Sequence, residues 1–236
     1  MKTRSESAFT LIEMLVVISI IAVLAAFAVP ALTSALTKGQ MTGTMNNGRQ
    51  LYLAGQQMAL DGSANSDPNL GWPADVGDTT LQDYMQRLVR NDYLKPGDVS
   101  KLLSGPGASC TATFTGTGLT GTLQLGGTKA ALKVYPVAEA NASNAVFCVS
   151  ANYVYGNDLT PTTGGPPPVP NNPFGDKGFI VQRKGGDASI LRKTDAKPAS
   201  ASAADVATFE SKVGVKPDGT SSAGDPAAPA AVLTYP

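Results

Sequence analysis

Histidine is absent from the chain, and charge is scarce, with Asp, Glu, Lys and Arg together making 15% of 236 residues. Without imidazole there is no Ser-His-Asp or Cys-His nucleophile, no His-ligated zinc and no histidine general base near neutral pH. Eighteen cations and eighteen anions cancel to zero net charge, so there is no electrostatic footprint for nucleic acid, and no nucleic-acid partner is expected. Carboxylate chemistry survives these absences. The dense acids, however, are Asp75, Asp78, Asp83 and Asp92, whose spacing suits helix capping and surface charge better than a convergent pocket. No catalytic, metal-ligating or cofactor-binding set stands out, and no cofactor is expected. Tryptophan occurs once, at Trp72, and cysteine twice, at Cys110 and Cys148.

Charge is scarcest near the start. Phe9 to Leu36 reads FTLIEMLVVISIIAVLAAFAVPALTSAL, and no charged residue lies between Glu13 and Lys38. A bilayer core takes about 20 apolar residues as a helix, so this run is long enough to cross one. The leader MKTRSESA ahead of it carries Lys2 and Arg4, cations that favour a cytoplasmic location for this end. Glu13 is an acid placed inside the apolar run. At the centre of a spanning helix it would cost roughly 2.5 to 3.5 kcal/mol, less near an end, and so it asks for a partner or a purpose.

The stretch Ala8-Phe9-Thr10-Leu11-Ile12-Glu13 resembles the processing site of type IV pilins and of the pilin-like proteins of type II secretion. The resemblance implies cleavage between Ala8 and Phe9 by prepilin peptidase and methylation of the new Phe9 amine. It implies that Glu13 neutralises the Phe9 amine of a neighbouring subunit during assembly, a pairing that suits two charges withdrawn from water together. Pro30 sits where many members carry a helix proline. Ala8 departs from the glycine usual before the cut. The match covers about the first thirty residues. Two other readings of the same residues are an ordinary signal peptide, with Ala26-Phe27-Ala28 as its cleavage site, and a single-span anchor.

Cys110 and Cys148 fall in the part that would be exported, where oxidising conditions favour a bridge. Joined, they would close a loop of about forty residues, a stabilisation of roughly 3 to 4 kcal/mol in the chain-entropy model. Two free buried thiols are the alternative. The resemblance adds that many pilins carry a disulfide in the C-terminal half.

Beyond Pro30 the helix is expected to continue to about Asp61. Met41, Met45, Gly48, Tyr52, Gly55 and Ala59 recur at helical spacing, with Leu51 and Met58 widening the stripe, so one face can pack on a globular domain. Gly39, Gly43, Gly48 and Gly55 weaken it by up to about 1 kcal/mol each relative to Ala; accommodation of bulky side chains from the domain is favoured over close helix approach in a filament. Gly62 suits a left-handed C-terminal cap. Asp61-x-Ser63-x-Asn65-x-Asp67 faintly resembles a calcium loop, but Trp72 stands where the bidentate glutamate belongs, and it reads as a solvated loop. Trp72 reads as a pin between loop and core. Thr79 or Thr80 can cap a helix from Leu81 to about Asp92, and Asp98 to Leu103 offers one further turn.

From Cys110 the texture changes to strands. Thr111 to Leu125, Ala131 to Ala138 and Ala145 to Tyr155 alternate with increasing strength. Phe179 to Arg183 and Ala188 to Arg192 flank Lys184-Gly185-Gly186-Asp187, a hairpin turn. Pro161 to Pro173 reads as an extended, polyproline-like loop, and a short helix is expected at about Ala203 to Lys212.

These features predict an α+β chain: a long N-terminal helix, half membrane-spanning and half soluble, packed on a small antiparallel sheet in a pilin-like lollipop. The predicted divisions are a leader at 1–8, a transmembrane and assembly helix at 9–36, its soluble half at 37–61, a globular head at 62–194, and an Ala/Pro/Ser/Gly-rich, partly disordered tail at 195–236. The expected function is that of a structural subunit of a type IV pilus-like filament. Its expected partners are copies of itself, the inner membrane, prepilin peptidase and the pilus or secretion assembly machinery. A single-pass inner-membrane precursor with its head in the periplasm would pass into a surface pilus or a periplasmic pseudopilus. A type II secretion pseudopilin driving export and a membrane-tethered periplasmic binding protein are the alternatives.

Overall fold

The computed structural model describes residues 10–159, 174–217 and 232–236; the leader, the Ala8-Phe9 junction and the Pro161 to Pro173 loop lie outside them. The chain divides into two units, residues 1–39 and 40–236. Helix α1, Leu11–Asn65, supplies the first unit and opens the second.

In the second unit α1 buries the stripe that the sequence marks out, with Leu51 and Met58 fully inaccessible and Gly48, Tyr52, Gly55 and Ala59 beside them. Gly48 and Gly55 stand where the head comes close: a side chain at Gly48 would meet Cys148 Sγ at 3.3 Å, and one at Gly55 would overlap the Tyr84 hydroxyl. These two accommodate bulky partners, as the sequence favoured. The helix does not stop at Gly62. That residue is buried within α1 because a Cβ there would overlap the backbone carbonyl of Leu70, so it permits a close approach and caps nothing. Termination falls at Ser66, whose φ of 55° is left-handed, with Asp67 N donating to Gly62 O at 3.0 Å. The faint calcium-like loop is therefore largely helical. Ser63 Oγ donates to Ala59 O, Asn65 Nδ2 donates to Asp61 O, and the Asp61 carboxylate accepts the Tyr93 hydroxyl at 2.7 Å.

Three short helices follow: α2, Pro73–Val76; α3, Leu81–Arg90; and α4, Pro96–Leu103. Thr80 caps α3, its Oγ1 accepting from Asp83 N at 3.1 Å and donating to Asp83 Oδ2 at 2.6 Å. Leu81, Tyr84, Met85, Leu88 and Val89 all face the core, the amphipathic stripe that the spacing predicts. Helix α4 begins at Pro96, earlier than expected, because proline is well placed at a first helical position. Trp72 is 3% exposed; its ring stacks on Tyr52 at 5.9 Å and meets Phe147 edge-on at 5.6 Å, while Phe147 also touches Tyr52 and Tyr84 edge-on. Four aromatic rings from four segments thus lock α1 to the head.

The strands form two sheets where one was expected. β1, Cys110–Thr115, and β2, Thr122–Gly127, make an antiparallel pair, while β3, Leu132–Val134, β4, Val146–Ser150, β5, Phe179–Arg183, and β6, Ala188–Leu191, make a sheet in that order, antiparallel throughout. Every residue of β4 and β5 is buried. β4 contributes Phe147 and Cys148 to the cluster under α1 and α3, and Val146 and Val149 to a second cluster with Tyr153, Tyr155 and Phe179. A register shift between Val146 and Cys148 accompanies that change of face.

Helix α5, Ala203–Lys212, belongs to the head, not to a loose tail: Val206 and Phe209 are buried, and Phe209 meets Tyr155 edge-on. Residues 232–236 are likewise seated. Leu233 N donates to Val134 O, Thr234 N to Thr79 O and Leu81 N to Thr234 O, all within 3.1 Å, and Tyr235 OH donates to Gly126 O at 2.7 Å. The sparse apolar residues of this composition-biased region are enough to anchor it. Both cysteines are free and buried, so the expected Cys110–Cys148 bridge is not formed in this structure. Cys110 opens β1, where its N–H is taken by Ser104 Oγ, while Cys148 lies in the other sheet beneath Gly48. Burial raises both thiols above their ordinary pKa, keeping them protonated.

Candidate functional site

The candidate site is the surface of α1 from its first turn to Leu36. Every Leu, Ile, Val, Met and Phe in this stretch is exposed, up to 82% at Leu11 and 78% at Phe27. A surface of that size and composition is unstable in water at about 25 cal/mol per Å² of apolar area. Its uncharged part, residues 14–37, spans about 36 Å as a helix, enough for a bilayer core of about 30 Å. Three of its four hydroxyls are bonded within the helix: Ser19 Oγ donates to Val16 O at 2.7 Å, Thr33 Oγ1 to Pro30 O at 2.9 Å and Thr37 Oγ1 to Thr33 O at 2.9 Å. Such back-bonding lets a hydroxyl face lipid without an empty donor. α1 passes through Pro30, which has no N–H to give the preceding turn.

At the head of this surface Glu13 and Thr10 hold one another. Glu13 N donates to Thr10 Oγ1 at 3.3 Å, while Thr10 N and Thr10 Oγ1 donate to Glu13 Oε2 at 2.8 and 2.7 Å. This is a reciprocal capping box, and it places a carboxylate at the positive end of the helix dipole. The sequence reading singled out Glu13 but missed Thr10 as its partner, although Thr-x-x-Glu before an apolar run is a signature of that arrangement. Ala8 and Phe9 lie outside the described residues, so the expected processing junction and the Phe9–Glu13 pairing have no geometry here.

The described residues of the head offer no comparable site. One polar cleft, about 440 Å³, is lined by Asp67, Asp78, Arg87, Arg90 and Leu119 among others, and its two arginines are already engaged. Arg87 pairs with Asp78, and Arg90 Nε donates to Gly121 O at 2.6 Å. Burial lowers the Arg87 pKa to about 10. Glu139, near the Trp72 side of the head, accepts Trp72 Nε1 at 2.7 Å and lies 3.7 Å from Lys184 Nζ. Among the described residues no group of three acidic, thiol or imidazole side chains is arranged to hold a metal ion.

Comparison with known proteins bears on the same stretch. Residues 3–29 match the family described as "Prokaryotic N-terminal methylation motif". The chain is similar to proteins named "Type IV major fimbrial protein FimA" from Dichelobacter nodosus. One is 27% identical over 126 residues, 48% of this chain and 79% of the relative. Another is 34% identical over 67 residues, 28% of this chain and 43% of the relative, so this match spans less than half of that relative's length. No solved structure matches the chain.

Proposed function

From the premise that the chain is type IV pilin-like, we propose that it is a structural subunit of a type IV pilus-like filament. It is cleaved by prepilin peptidase after Ala8, methylated at Phe9 and assembled through the apolar surface of α1. The observation that carries this reading is the unbroken exposure of large apolar side chains from Leu11 to Leu36, most of it within the matched residues 3–29. Lipid covers that surface in the precursor. On leaving the bilayer the helix is covered by copies of itself, and a head-to-tail contact repeated without closure makes a helical filament. Glu13 then exchanges Thr10 for the Phe9 amine of the next subunit. Catalysis has no place in this function.

The precursor resides in the inner membrane with its head in the periplasm, in line with the Lys2 and Arg4 leader. The fimbrial naming of the relatives favours a surface pilus over a periplasmic pseudopilus. Mass spectrometry of the mature amino terminus tests the processing step. A chain beginning at N-methylated Phe9 supports the proposal, a start at Val29 makes the protein a secreted domain, and an intact Met1 makes it a tether. Electron microscopy of wild-type and deletion cells tests the filament, with long surface fibres lost on deletion as the expected result. A deletion that leaves fibres intact but blocks protein export would assign the pseudopilus instead.

A further inference from the structure

We infer that Asn141 is a site of N-linked glycosylation, its side-chain amide taking an oligosaccharide from a polyisoprenyl diphosphate carrier in the membrane that holds the precursor. The inference rests on the periplasmic placement of the head proposed above and adds to it a covalent modification of the head's surface.

Asn141-Ala142-Ser143 has the form asparagine, any residue but proline, then serine or threonine, the acceptor sequence for N-linked sugar. No other asparagine of the chain has serine or threonine two residues on. Three residues can meet that form by chance, so what the fold does with them decides. They lie in the loop between β3 and β4, which is made of two turns in series: Asn141 N donates to Ala138 O at 3.1 Å and Ala145 N to Ala142 O at 2.9 Å. The backbone of the loop is tied to the β5–β6 turn, with Gly185 N donating to Ser143 O at 2.6 Å and Lys184 Nζ to Asn141 O at 3.2 Å. Ala142, Ser143 and Asn144 are exposed and Asn141 is half-buried.

The two ends of the Asn141 amide are treated differently. Oδ1 accepts Ala138 N at 2.6 Å. Nδ2 has no hydrogen-bond partner among the described residues, yet it is not shut away from solvent. Ser143 Oγ is also without a partner among them. The nitrogen to be substituted and the hydroxyl by which an enzyme reads the site are therefore both unspent.

An amide nitrogen shares its lone pair with its carbonyl and is a poor nucleophile, so transfer needs an enzyme and an activated sugar. A bond forms from Nδ2 to the anomeric carbon while the anomeric C–O bond to the diphosphate breaks. The lipid diphosphate leaves with that electron pair, the amide gives up one proton, and nothing is oxidised or reduced. The carrier is anchored in lipid and, in the precursor, so is α1; confinement to one membrane raises the effective concentration of acceptor and donor.

The test takes the full-length chain from its native cells and maps the tryptic peptide 134–177, which carries Asn141, by mass spectrometry with electron-transfer fragmentation. The expected result is a sugar mass on Asn141, lost in Asn141→Gln and in Ser143→Ala and kept in Ser143→Thr. Ser143→Ala leaves the Asn141 Oδ1 contact in place, so its loss of sugar is not a loss of the loop. A bare Asn141, in cells whose spheroplasts expose the head to added protease, overturns the inference alone. A sugar carried on a hydroxyl of the peptide instead, or one on Asn141 that survives Ser143→Ala, does the same. A head protected from protease in spheroplasts overturns the periplasmic placement, and the inference with it.

Discussion

The two stretches of α1 on either side of Gly39 are built from one continuous helix but solve opposite problems. From Leu11 to Leu36 the helix has large apolar side chains all round, every one of them exposed. From Gln40 onward it is two-faced, with one stripe in the core of the head and the other open. From the boundary onward the glycines of α1 sort by what faces them. At Gly39 and Gly43 an added Cβ would meet nothing within 4 Å, whereas at Gly48, Gly55 and Gly62 it would press on Cys148, Tyr84 and Leu70. The same residue type, costly to a helix everywhere, is left open at Gly39 and Gly43 and structurally required from Gly48 onward, where the head comes close. A glycine is therefore explained by what stands opposite it.

Four changes break or sharpen that contrast. Phe147→Ala removes the ring that three aromatic neighbours share and should cost about 3 to 5 kcal/mol. Thermal unfolding of the full chain in detergent should show a fall of roughly 10 °C, while carbonate extraction shows insertion of the apolar stretch unaffected. Gly62→Ala comes next at about 3 kcal/mol, because its Cβ overlaps a backbone carbonyl that cannot swing aside; unchanged melting would mean that α1 can part from the Leu70 loop at little cost. Gly55→Ala should cost about 1 to 3 kcal/mol, since it presses on Tyr84, itself fully buried. Gly39→Ala has the opposite sign. With open space around it, alanine should stabilise the helix by about 1 kcal/mol, seen as amide exchange around residue 39 slowed about fivefold.

The head should also respond to alkali in a way the apolar stretch, which has no tyrosine, cannot. Burial pushes Tyr135 up to about 12 and raises Tyr84 and Tyr153 as well. Folding then favours the neutral phenol, so its contribution is fully present below the unfolded pKa of about 10. It is lost as pH rises from there through about 12. Phenolate absorbance should therefore appear together with loss of the head's circular dichroism; phenolate formed near pH 10 in a folded head would contradict the burial of these rings.

Local signals in the sequence were legible wherever a residue's role was local. Thr80 capped α3, the stripe from Leu81 to Val89 faced the core, and the Lys184 to Asp187 turn joined β5 to β6, each as its own neighbours dictated. Illegible features depended on residues distant in the chain. Gly62 looks like a cap until Leu70 is seen above it, and the seating of Leu233 and Thr234 depends on Val134, Thr79 and Leu81. The division into two sheets could not be read because β4 is buried on both faces, which removes alternation as a guide. In the candidate site the apolar run and Glu13 are plain in the sequence; the Thr10 contact is a local capping box that the Thr-x-x-Glu spacing carries.

That short-range pairing changes what assembly must do. In the precursor as proposed, Glu13 does not present a bare anion, since Thr10 shelters the carboxylate with a hydroxyl and an amide. On the function proposed above, an amine arriving from a neighbour would have to replace contacts that Glu13 already makes with Thr10.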